Sequence, residues 1–241
     1  MRDCGWIKYF PELAAYVGCP QDPQWHPEGD VFEHTAYCMD SFAKDRIGDD
    51  REDLIVGLAV LCHDFGKPLC TEICPDGHIR SHGHDVLGKI PTRRFLERMT
   101  REKALIEAVI ALVERHMAVL ELWRSRAGDA AIRRLANKVG RIDRLVRVDS
   151  ADRNGRPPLS AEPSPQGEWI TRRSEELKVK DSAPKPLVLG RHLVAMGLSP
   201  SPKFSEILDA AYEAQLDGEF ADEQSALAYV KNKILENASE M

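Results

Sequence analysis

Apolar residues recur at helical spacing in segment after segment of the chain, and strand-like alternation is almost absent. Residues 31–44 place Val31, His34, Cys38 and Phe42 on one stripe, which predicts a first helix with a single buried face. Residues 51–64 predict a second, with Leu54, Leu58, Leu61 and Cys62 turned inward; it stops near Gly66, and Pro68 blocks continuation. A loop rich in Cys, Gly, Pro and His follows over 69–83. A third helix is expected over 84–99 and a fourth over 102–119, the latter with the stripe Leu105, Val109, Leu112 and His116. A fifth is expected over 130–152, with Leu135, Val139, Ile142, Val146 and Asp149 in line. Residues 154–168 then collect Gly155, Pro157, Pro158, Pro163, Pro165 and Gly167, which read as a linker or long loop, and Asp-Ser-Ala-Pro-Lys-Pro punctuates 181–186. Short helices are expected near 190–197, 203–217 and 222–237. The expected fold is all-α: a helical bundle within residues 1–156, a linker or long loop over 157–186, and a helical C-terminal appendage over 187–241.

Composition narrows the function classes. Of 241 residues, 43% are apolar and 30% charged, enough to pack a core without wholesale disorder. The longest apolar run, Leu54 to Cys62, is far short of the roughly 20 residues of a membrane span, and no basic segment followed by an apolar one opens the chain. The expectation is therefore a cytoplasmic protein with no membrane partner. A net charge of −6 argues against a globally basic nucleic-acid binder. Six cysteines in such a chain do not make a disulfide framework, and Cys62, inside an apolar stretch, reads as a small core residue.

Ligand-type residues interrupt the apolar stripes. His34 lies on the inner face of the first helix, His63 and Asp64 end the second, His84 opens the third, and His116 sits on the stripe of the fourth. Asp149 and Asp152, three apart, share a face at the end of the fifth. Burying one such side chain costs several kcal/mol unless it is paired or metal-bound, so five helices each delivering one point to a metal site in a bundle core. Mixed His and Asp ligands suit Fe, Mn, Ni, Co or Zn, as one or two ions, better than Ca, with Mg a further option. For His26, His78 and His192 the plainer reading, an ordinary satisfied imidazole, is preferred. Cys70, Cys74, His78 and His82, spaced four apart, raise a separate structural zinc, which Pro75, Gly77 and the short gap between the pairs disfavour. Arg133, Arg134, Lys138, Arg141, Arg144 and Arg147 fall on the outer side of the fifth helix, where a solvated polar face is the default and an RNA-backbone track the alternative.

Several of these residues together resemble a known family. His34, the string His63-Asp64-Phe65-Gly66-Lys67, Gly83-His84-Asp85, His116 and Ala151-Asp152 resemble the HD superfamily of metal-dependent phosphohydrolases. Residues 10–34, with Pro20-Gln21-Asp22-Pro23 and His26-Pro27-Glu28-Gly29-Asp30, and the tail segments Leu187–Gly190, Met196-Gly197-Leu198 and Gln215-Leu216-Asp217-Gly218 are similar to the HD and C-terminal portion of bacterial tRNA nucleotidyltransferases (CCA-adding enzymes). The nucleotidyltransferase head of that family has no counterpart in this chain, so nucleotide addition by it alone is not expected. The resemblance implies that His34, His63, Asp64 and a late aspartate hold one metal, and that His84 and His116 add ligands for a second. It favours Asp152 as the late aspartate, where periodicity alone favours Asp149. It further implies hydrolysis of a phosphomonoester or 2′,3′-cyclic phosphodiester on a nucleotide or RNA end. The chemistry of such a site makes Asp64 and Lys67 the catalytic candidates and Lys67, Arg153 and Arg156 the candidate phosphate contacts. For Lys67 the equal alternative is a helix C-terminal cation favoured by the dipole. The alternative to hydrolysis is a non-catalytic module that binds tRNA or docks onto a separate nucleotidyltransferase.

Overall fold

A computed structural model describes residues 3–159 and 164–235. The chain is mostly helical, in the order α1 (Pro11–Ala14), α2 (Val31–Lys44), α3 (Asp50–Cys62), α4 (Lys67–Cys70), β1 (Glu72–Ile73), β2 (Ile79–Arg80), α5 (His84–Leu87), α6 (Lys89–Glu97), α7 (Lys103–Arg115), α8 (Ala118–Arg124), α9 (Asp129–Val139), α10 (Ile142–Asn154), α11 (Pro165–Glu176), α12 (Gly190–Ala195), α13 (Lys203–Asp217) and α14 (Glu223–Tyr229). Among the described residues the only sheet is the antiparallel hairpin pairing Glu72 with Arg80 and Ile73 with Ile79, inside the predicted loop. No helix among them is long and apolar enough to cross a membrane.

Local chemistry sets where the helices start. Asp30 caps α2, its carboxylate accepting from the Glu33 N–H at 2.9 Å and, through its other oxygen, from Gly18 N–H at 2.7 Å. Asp49 caps α3 by accepting from the N–H groups of Arg51 and Glu52. α2, α3, α7 and α10 pack on one another around a core that buries Val31, Cys38, Val56, Val60, Cys62, Val109, Leu112 and Leu145. The stripes of the first and fourth predicted helices are buried as expected, from Val31 to Phe42 and from Leu105 to His116.

Five readings are corrected. α3 turns Ile55, Val56, Ala59, Val60 and Cys62 into the core, while Leu54 is 48% exposed. This helix is apolar nearly all round, so periodicity could not select its face. The single helix expected over 84–99 is two, α5 and α6, meeting at Gly88. The helix expected over 102–119 ends at Arg115, and α8 follows. That expected over 130–152 breaks at Gly140, whose φ of 75° lies in the left-handed region that favours glycine, and restarts at Ile142. Finally, the segment 157–186 is not simply linker. It carries α11, capped by Ser164, with Ile170 fully buried in the main core and Trp169 edge-on to Trp123 of α8 at 5.7 Å. Pro165 sits in the first turn of α11, where a missing N–H costs nothing, so its presence marks a helix start rather than a loop.

The C-terminal helices hold a second, smaller apolar cluster of Val188, Leu193, Ala211, Ala214, Phe220, Ala226 and Val230. It is tied to the bundle by polar contacts. Tyr212 Oη donates to Asn137 Oδ1 of α9 at 2.9 Å, the Arg133 guanidinium to Leu216 O at 3.3 Å, and Arg134 pairs with Asp217 at 2.8 Å.

Candidate metal centre

The ends of the core helices converge on one point. His34 lies one turn into α2, His63 and Asp64 follow directly on α3, His84 opens α5, and His116 caps the end of α7. Three of the four imidazoles are oriented by the same device. Nδ1 of His63 lies 2.8 Å from Val60 O, Nδ1 of His84 2.8 Å from Ser81 O, and Nδ1 of His116 2.8 Å from Val113 O. A carbonyl can only accept, so each Nδ1 carries the hydrogen and each neutral ring presents a bare lone pair at Nε2.

Those lone pairs face one another. His84 Nε2 and His116 Nε2 are 3.1 Å apart. His63 Nε2 lies 3.2 Å from Asp64 Oδ2, and His84 Nε2 3.4 Å from Asp64 Oδ1. Asp64 is 1% exposed, and among the described residues neither its oxygens nor His63 Nε2 has an aligned hydrogen-bond partner. Lys67 Nζ approaches Asp64 Oδ2 to 2.8 Å as an ion pair, but its aligned hydrogen bond goes to Gln21 Oε1 at 2.6 Å. Lys67 meets only one of the Asp64 oxygens, and facing lone pairs on the other oxygen and the imidazole nitrogens are unfavourable unless a cation fills the space between them. Beside it, His34 Nε2 meets Asp152 Oδ1 at 3.1 Å, and Cys38 Sγ stands 3.4 Å from the same nitrogen. Ligand atoms of His34, Cys38, His63 and Asp152 lie within 4.8 Å of one another, as do those of Asp64, His84 and His116. The residues present therefore fit a divalent transition metal, in two adjoining groups with Asp64 between them.

Electrostatics follow this crowding. Burial pushes His116 down to about 3. Burial opposes ionisation of Asp64, and the Lys67 ammonium beside it helps hold the carboxyl well below the usual range. Asp152 is held low in the same way, against burial, by Arg156 and His34. Arg156 reaches Asp152 Oδ1 at 2.6 Å.

All six residues expected to bind metal, His34, His63, Asp64, His84, His116 and Asp152, are brought to this centre, and Lys67 and Arg156 line the same cavity of about 400 Å³. Arg153 does not line it; its guanidinium turns to Gln166 Oε1 at 3.4 Å. Three residues at the site were not expected. His26, read as an ordinary imidazole, donates from Nδ1 to Glu28 Oε1 at 2.8 Å, and its ring lies edge-on to His34 at 4.7 Å. Glu28 in turn sits 2.7 Å from His34 Nδ1. Cys38 shares the stripe of His34 one turn along, a spacing that could have flagged it.

The remaining candidates fall elsewhere. Cys70, Cys74, His78 and His82 do not form a ligand group among the described residues, and His78 Nδ1 pairs with Asp22 at 2.7 Å. Most of the arginine row on α9 and α10 is already neutralised: Arg144 by Glu52, Arg141 by Asp143, Arg147 by Asp53 and Arg134 by Asp217.

Asp149 is buried away from the candidate centre, with Ser164 Oγ donating to it at 3.2 Å. Burial and the charge of Asp152 raise it to about 6. The native state thus keeps a proton that the unfolded chain releases near pH 3.9. The stability this contributes is complete below that value and is lost as pH rises toward 6. Asp149→Asn, which mimics the protonated form, is expected to stabilise the metal-free protein by about 1–3 kcal/mol at pH 7. The gain should vanish near pH 4. Denaturant titrations at the two pH values check this, and an equal effect at both would refute it.

No family model and no solved structure matches the chain. Among curated proteins it is similar to the A-adding tRNA nucleotidyltransferase of Deinococcus radiodurans, 34% identical over 92% of this chain and 50% of that protein. It is also similar to the multifunctional CCA proteins of Laribacter hongkongensis, 32% identical over 69% of this chain and 40% of that one, and of Pasteurella multocida, 32% identical over 67% and 39%. The chain spans about half the length, or less, of these relatives, and matches their C-terminal part.

Proposed function

We propose that this chain, a homologue of the C-terminal part of CCA-adding tRNA nucleotidyltransferases, is an HD-type, metal-dependent phosphohydrolase. Its substrates would be phosphomonoester or 2′,3′-cyclic phosphodiester groups on nucleotides or RNA ends. The observation that carries the reading is the buried cluster in which the imidazole nitrogens of His63, His84 and His116 face one another and Asp64, with Lys67 meeting only one carboxylate oxygen. Fe, Mn, Ni, Co, Zn or Mg would be held by His34, His63, Asp64 and Asp152 on one side and by Asp64, His84 and His116 on the other. Bound there, a divalent metal supplies Lewis acidity and a water of lowered pKa.

The chain's own residues would do the rest. Lys67 Nζ, fixed between Gln21 and Asp64, offers a cation at the cavity wall for a phosphate oxygen. Arg156 lines the same wall and doubles as the partner of Asp152. Asp64 orients what binds between the two ligand groups. The relatives' names make tRNA the natural source of an RNA end. A purely tRNA-holding role is less well supported, because the outward arginines are spent on internal ion pairs and the buried cluster is not needed for it.

The test is metal analysis of the purified protein together with hydrolysis of 2′,3′-cyclic nucleotides and nucleoside monophosphates. Metal near stoichiometric amounts, and turnover abolished by a chelator and restored by a transition metal, is the expected result. Metal-loaded protein inert on the whole panel would overturn the phosphohydrolase.

A further inference from the structure

Trp25 is 56% exposed, yet it stands on a turn braced by several hydrogen bonds. Its N–H and that of His26 both donate to Asp22 O, at 3.0 and 2.9 Å. The Asp22 carboxylate accepts from Gln24 N–H at 3.0 Å and pairs with His78 Nδ1 at 2.7 Å. On the far side, His26 is locked by Glu28 and lies against His34, while Gln21 bridges Gly29 O and Lys67. An indole held out on a rigid turn contributes little to the core, since its large apolar face stays in water.

The indole lines the cavity of the metal centre. The cavity mixes charged side chains, among them Asp64, Lys67, Arg124 and Arg156, with the apolar Trp25, Ile79, Met117 and Leu120. Its volume of about 400 Å³ falls within the roughly 300–1,000 Å³ of small-molecule sites. A bare phosphate or a sugar phosphate would leave the apolar lining unused. A phosphate that carries a flat aromatic ring would use both kinds of lining, and aromatic side chains are the usual stacking platforms for nucleobases.

Resting on the phosphohydrolase reading, we infer that Trp25 is a preorganised stacking platform for a nucleobase, so that the site selects phosphates borne by a nucleoside over base-free phosphates. Because the turn is fixed before binding, little ordering cost offsets the stacking.

The test is equilibrium binding of two slowly hydrolysed probes to the metal-loaded protein: adenosine 5′-phosphorothioate and ribose 5-phosphorothioate, which differ only by the base. Wild type is expected to bind the adenosine probe at least about tenfold more tightly, the scale of one base stacked on an aromatic ring. Trp25→Ala should remove that preference, and Trp25→Phe should keep most of it. The affinity for the ribose probe should be the same in all three proteins. Equal affinities of wild type for the two probes, a preference untouched by Trp25→Ala, or a parallel loss for both probes would each overturn the inference. Failure of the hydrolysis panel with this discrimination intact would remove the reaction and leave the base site standing. Turnover without discrimination would do the reverse.

Discussion

Asp64→Ala is expected to strip the protein of its metal and lower phosphohydrolase turnover by at least about a hundredfold. Residues that merely support a metal ligand cost 10- to 100-fold in affinity or activity when removed, and Asp64 stands in the first rank. Its two oxygens face His63 on one side and His84 on the other, at 3.2 and 3.4 Å. Truncation therefore strikes both ligand groups at once. A ligand that binds only the native state raises the melting temperature, so wild type should melt higher when metal is added back to chelated protein. Asp64→Ala should show no such rise while keeping its helical content. Metal analysis, the hydrolysis panel and paired melting curves read these three quantities. A variant that retains full metal occupancy would refute the placement of Asp64 between two sites.

The sequence announces this centre more clearly than it announces the helices around it. The reason is physical. His34 and His116 lie on stripes whose other members are apolar, and a titratable side chain there must be paired or bound, wherever the helix happens to end. Helix boundaries depend instead on single residues whose effect is tertiary. Gly140 separates α9 from α10, so the stripe drawn from Leu135 through Val146 to Asp149 never existed as one face. That is why periodicity pointed to Asp149, which the fold buries against Ser164, while Asp152 is the aspartate beside His34. Leu54 illustrates the same limit on α3, where too many apolar residues leave the buried face undecided. Trp25 was invisible for the opposite reason. Nothing in its neighbourhood is periodic, and its place at the cavity follows from a turn pinned by Asp22, His26 and Gln21.

Gly66→Ala is expected to be the most damaging small change near the site. Gly66 has φ of −81° and ψ of −24°, angles open to any residue, so space rather than backbone freedom demands the glycine. A Cβ there would lie 1.8 Å from His84 O and 2.8 Å from Gly88 N. Both are backbone atoms that cannot swing aside, so relief requires α5 to move as a unit, carrying His84 with it. Overpacking of this kind costs roughly 1–3 kcal/mol or more, which in a chain of this size lowers the melting temperature by about 2–12 °C. His84 supplies a lone pair to the Asp64–His84–His116 group and none to the His34–Cys38–His63–Asp152 group. Metal content should accordingly fall from two ions toward one instead of vanishing, which separates this variant from Asp64→Ala. Gly128→Ala, with open space around its Cβ and no positive φ, is the control and should change neither melting nor metal content appreciably. If Gly66→Ala retained wild-type stability and full occupancy, the close seating of α5 against the Gly66 backbone would not be what positions His84.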